Sequence, residues 1–199
     1  MSRVLPIFLP LLLASCLVQV ENPIPGDTSF DERLVGDWES VPMEAADYSG
    51  RVVPEEPPSE EDDAMAMRIA PDRAGTLRIS SLEEGEDDEF TAATRTEGGR
   101  HYLLIQMEPT EGEPPGEEAR GQLVLEYEFD PEGHLLLWII TIDRFSEAVD
   151  FHPLAHRKGE GRFLPPLHIT ATPGETLAFY ADPEVARLLS TAGKFRRID

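Results

Sequence analysis

Residues 122–129 read Gln-Leu-Val-Leu-Glu-Tyr-Glu-Phe, and their strict alternation is the strongest constraint on what this chain can fold into. Side chains point to opposite faces of a strand with period two. Leu123, Leu125, Tyr127 and Phe129 therefore share one face, while Glu126 and Glu128 share the other. The pattern predicts a half-buried antiparallel strand with its glutamates in solvent. Asp130-Pro131-Glu132-Gly133 follows as a turn. Residues 134–142 then form the partner strand, with Leu136, Trp138, Ile140 and Ile142 on one face and Leu135, Leu137 and Ile139 on the other. Two apolar faces predict a strand covered on both sides.

Weaker alternation recurs through the chain. Segments 65–69 and 76–80 flank a loop at 71–75, and 90–96 and 101–107 flank Glu97-Gly98-Gly99-Arg100. Segments 167–172 and 176–181 flank Pro173-Gly174-Glu175 as a third hairpin. About nine or ten short strands separated by turn signals predict an all-β, mostly antiparallel sandwich or barrel. One helix is expected after the Asp182 cap, with Pro183 first, Val185, Leu188 and Leu189 on its apolar face and Gly193 at its end. A last short strand is expected at 194–198. Three segments rich in acid, at 54–63, 83–89 and 108–118, hold 17 of the 39 acidic residues and read as exposed loops on a β domain spanning 31–199.

Gly36-Asp37-Trp38 adds a resemblance. This G-x-W near the start of the domain is similar to the opening strand of lipocalins and of small lipocalin-like bacterial domains. The resemblance implies a single up-and-down barrel with Trp38 plugging its closed end, one short C-terminal helix, and a small apolar or amphipathic ligand inside. Another β-sandwich or barrel with a buried Trp is the alternative.

The first residues carry an address. Arg3 precedes an apolar run at 4–13. That run is shorter than the ~20 residues a spanning helix needs, so it reads as an export signal. Leu13-Ala14-Ser15-Cys16 resembles the lipobox of bacterial lipoproteins. The resemblance implies cleavage after residue 15, diacylglycerol and a further acyl chain such as palmitate on Cys16, and a tether over 16–30. Two or three acyl chains anchor stably where one does not. Cys16 is the only cysteine, so no intramolecular disulfide forms. Leu17 stands where the enterobacterial pattern for inner-membrane retention has Asp, which favours the outer membrane, with the domain facing the periplasm or the surface.

A formal charge of −22 opposes nucleic-acid binding and electrostatic docking on anionic lipid. Asp150, His152 and His156 are the weak metal-ligand candidates, lacking a defined further ligand. The acid-rich segments lack the ordered spacing of a calcium loop. Arg144, Arg157, Arg162, Arg196 and Arg197 lie in the less acidic last third and balance surface charge. Signatures for nucleophilic, zinc-dependent and nucleotide-dependent catalysis are missing from the sequence. The chain thus reads as a non-catalytic envelope protein without a cofactor. It either binds a small ligand in a barrel or acts through its surface as an interaction or assembly protein. Cys16→Ser is expected to abolish metabolic labelling with palmitate and membrane retention; unchanged labelling refutes the lipobox reading.

Overall fold

The computed structural model describes residues 18–48, 51, 65–83, 89–107, 121–159 and 167–198. The signal segment, Cys16 and most of the acid-rich segments lie outside the described residues. Eleven strands form one sheet: β1 (Val18–Val20), β2 (Gly36–Val41), β3 (Ala66–Pro71), β4 (Leu77–Ser81), β5 (Glu89–Glu97), β6 (Arg100–Met107), β7 (Gly121–Phe129), β8 (Leu135–Ile139), β9 (His156–Lys158), β10 (Leu167–Ile169) and β11 (Ser190–Ile198). Among the described residues there are three α-helices, α1 (Ile142–Phe151), α2 (Pro173–Ala181) and α3 (Pro183–Arg187).

β2 to β8 run up and down in sequence order, and β11 pairs antiparallel with both β8 and β2. The β6–β7 pairing completes a closed, eight-stranded, lipocalin-like barrel. β7 has a third neighbour: its last residues pair with β8, while Leu123 and Gln122 pair with Gln19 and Val20 of β1. β1 continues through β10 to β9 as a flap on the outside of the barrel.

Two apolar cores follow from the alternation. Inward side chains of all eight barrel strands, among them Trp38, Ile69, Leu77, Ala92, Leu103, Leu125, Leu137 and Phe195, fill the barrel. Outward Tyr102, Leu104, Val124, Leu136, Trp138 and Ile140 form a second core with the flap and with Phe145, Phe179 and Val185 of the helices. β8 is covered on both sides, as its sequence predicts.

One barrel end is sealed by the chain entering it. The Asp27 N–H donates to Thr94 O (2.7 Å), the 3₁₀ turn Glu32–Leu34 crosses the end, and the Trp38 indole donates to Leu34 O (2.8 Å). Arg197 lies over the Trp38 ring at 4.9 Å and donates to Arg33 O, locking the last strand to that turn. Trp38 is 1 % exposed, in the closing position expected of it.

Several expectations need correction. The tether over 16–30 does not hold from residue 18 onward: β1 is hydrogen-bonded into the sheet and Ile24 is buried. Gln122 closes on Ile24 like a stretch of backbone, accepting from its N–H (2.9 Å) and donating to its carbonyl (3.2 Å). Residues 176–181 form no strand but most of α2, because Thr172 and Glu175 make a reciprocal capping box around Pro173. Ile142 opens α1 instead of ending β8. The late helix expected after Asp182 is present as α3 with Asp182 as its cap, but it stops at Arg187, and among the described residues α1 and α2 accompany it. Gly193 sits inside β11, at a register shift, with φ +151° and the Phe195 ring 2.7 Å from where a Cβ would stand.

Trp38→Ala removes the largest side chain of the sealed end and is expected to cost ~3–5 kcal/mol in denaturant unfolding; a loss below ~1 kcal/mol contradicts its role as the plug.

Candidate functional site

Two places combine accessibility with chemistry. The first is a cleft on the outer wall near the sealed end. Cross-strand register places Arg95, Tyr102, Glu126 and Trp138 in one outward row across β5, β6, β7 and β8. Glu126 therefore points into the layer under the helices, and it is 5 % exposed. The sequence places this carboxylate in solvent; the helical cover overturns that. Glu126 accepts from Arg51 (2.7 Å) and, at both oxygens, from Arg100 Nη1 (2.9 and 3.0 Å). A carboxylate this buried needs donors at its oxygens, and the two guanidinium groups supply them.

Arg51 is the pivot of this network. Its side chain is 8 % exposed and its guanidinium lies 4.1 Å over the Trp138 ring. It also approaches Glu128 (3.6 Å), which in turn accepts from the Trp138 indole (2.9 Å). Tyr102, directly across from Glu126, is fully buried, and its hydroxyl has no hydrogen-bond partner among the described residues. Burial, then the Glu126 charge, raise its pKa, so it stays a neutral phenol. Above the network opens a cavity of about 530 Å³, lined by Arg51, Arg100, His101, Tyr127, Glu128 and Arg187 among others. His101 stacks on Tyr127 with centroids 5.5 Å apart.

The second place is the opposite end of the barrel. There Met65, Phe90, Met107, Ile139 and Ala192 pack against the inner core but remain half-buried. The connections from β2 to β3, β4 to β5 and β6 to β7 all depart from this end. Those connections contain the three acid-rich segments.

The expected metal candidates do not converge. His152 Nδ1 lies 3.1 Å from Asp182, and His156 Nδ1 lies 2.8 Å from Leu154 O. Asp150 stands at the end of α1 and joins neither contact. Among the described residues, the potential ligands that gather within 4.8 Å are Asp130, Glu132 and His134. That group closes the β7–β8 turn. Asp130 accepts from the Glu132 and His134 N–H groups, its second oxygen meets the His134 ring (2.8 Å), and Lys194 lies 3.3 Å away. Burial alone would raise the Asp130 pKa, but the His134 and Lys194 donors outweigh it and hold the value at about 2. The Lys194 ammonium is already paired with one of the Asp130 carboxylate oxygens. Of the arginines read as surface balance, Arg157 pairs with Glu21, Arg196 with Glu39 and Arg144 with Glu147; Arg162 lies outside the described residues.

Arg51, Arg100 and Glu126 escape a reading of the sequence. Arg51 borders an acid-rich segment with no periodicity around it. Glu126 carried one usable signal, an acid facing the same way as Val124 in a strand whose partner presents Trp138 there. No protein-family profile, curated protein or solved structure matches this chain.

Glu126→Ala leaves Arg51 buried without its carboxylate and is expected to cost ~3 kcal/mol or more. Adding Arg51→Met should restore most of that loss in a double-mutant cycle of unfolding free energies. Additive losses mean the pair is not coupled.

Proposed function

We propose that this is a lipid-anchored protein of the bacterial cell envelope that holds a small amphipathic ligand at the end of its barrel opposite Trp38. The lipobox-like Leu13-Ala14-Ser15-Cys16 supports the anchor, and Leu17 in place of Asp after it supports the outer-membrane placement. The observation that carries the ligand reading is the difference between the barrel ends. Trp38 and the 3₁₀ turn close one, whereas the other presents half-buried Met65, Phe90, Met107, Ile139 and Ala192. Methionines adapt their shape to irregular apolar partners. The acid-rich connections attached at the same end favour a ligand with a cationic or neutral head over an anionic one.

A second reading is favoured by one observation. Inward Leu77, Ala92, Leu103, Leu123 and Leu135 are no more than 1 % exposed, so the barrel is solid below its mouth. A solid barrel suits an interaction or assembly protein that works through its surface.

Nile red fluorescence separates the two. The ligand reading expects saturable enhancement, displaced by dodecyltrimethylammonium at lower concentration than by dodecanoate, both below micellar concentrations. Met107→Lys should weaken dye binding about tenfold or more. No saturable enhancement, or binding unchanged in Met107→Lys, discards the mouth as a ligand site and leaves the surface reading.

A further inference from the structure

The outer cleft lies at the other end of the barrel from the apolar mouth, and among the described residues its charges do not balance internally. Among the described residues, three guanidinium groups line it, those of Arg51, Arg100 and Arg187, against two carboxylates, Glu126 and Glu128. Glu184 stands outside the lining and reaches Arg187 only at 3.8 Å, with both side chains about 70 % exposed. Solvent screens such a contact. A chain with a formal charge of −22 thus concentrates an excess positive charge in one cavity.

The donors are arranged for use. Arg100 holds Glu126 through Nη1 alone, so its Nε and Nη2 have no partner among the described residues. Glu126 is buried and Arg51 is clamped by Trp138, Glu126 and Glu128, so the floor of the cleft is rigid. The planar Arg fork matches a carboxylate with two parallel hydrogen bonds. Pro183 and Ala186 offer apolar surface beside it. About 530 Å³ suits a small organic molecule. The two glutamates in the wall oppose a second negative charge, so a monoanion fits where a dianion does not.

We propose that this cleft binds a small monocarboxylic acid, with Arg100 as the fork for the carboxylate, Arg187 as a second cation at the rim, and Pro183 and Ala186 against the apolar body. The site is independent of the ligand reading for the barrel mouth.

The experiment is a titration of the purified full chain with benzoate, followed by calorimetry and by the backbone NMR signals of Arg100 and Ala186, with inorganic phosphate as the comparison anion. Saturable benzoate binding is expected, weakened about tenfold in Arg100→Gln and in Arg187→Gln. Arg187 is 69 % exposed, so Arg187→Gln keeps the fold even if Arg100→Gln loosens the network. Glu128→Gln preserves the acceptor for the Trp138 indole while removing a negative charge, and should tighten benzoate about threefold. A purely structural role for these residues would not move benzoate affinity in that direction. Absence of saturable benzoate binding, affinity unchanged in Arg187→Gln, or phosphate binding as tightly as benzoate overturns the proposal.

Discussion

β7 is the constraint on which both halves of the molecule depend. Its inward Leu123, Leu125 and Tyr127 belong to the barrel core, and its outward Val124 belongs to the layer beneath the helices. It is also paired along both edges, to β6 on one side and to β8 and β1 on the other. A strand buried on both faces can hold a charge only if the charge is fully met. Glu126 is that charge, and the two arginines that meet it build the polar wall of the outer cleft. Packing and electrostatics are thus one problem at this strand, solved by one set of residues.

The second core explains how eight strands with modest alternation stand alone. A small barrel leaves the outside of its wall to solvent, yet β6, β7 and β8 carry Tyr102, Leu104, Val124, Leu136 and Trp138 outward. The flap β1-β10-β9 and the three helices exist to cover them. Phe145 of α1 and Phe179 of α2 meet at 5.4 Å over that wall, and Tyr180 approaches Tyr102 at 6.3 Å. Burying such aromatic groups contributes ~1.5–3 kcal/mol each relative to leaving them exposed.

How much of this was legible in the sequence depended on range. Period two identified β3 to β8, because alternation is a local consequence of one face being buried. The two apolar faces of β8 correctly predicted cover on both sides. Helices α1 and α2 were missed because their signals are short and ambiguous. Thr172-Pro173-Gly174-Glu175 spells both a turn and a capping box, and the pairing of Glu175 with the Thr172 N–H decides for the box. The cleft was illegible for another reason. Arg51 and Glu126 are 75 positions apart, and nothing local to either announces the other. The same holds for β1, whose three residues look like spacer until β7 and β10 are placed beside them.

Strand order carries a consequence for how the molecule is made. β11 follows every other strand in the chain, yet its place is between β8 and β2, where it pairs on both sides. Until it arrives, the meander from β2 to β8 has two open edges that no neighbour covers, a condition that invites pairing with other chains. Closure also requires Arg197 to reach the Trp38 ring across most of the chain's length, a contact whose loop entropy is met only once everything between is folded. The ring therefore shuts in the manner of a drawstring, from its final strand, and the assembly stays unfinished for as long as β11 is withheld.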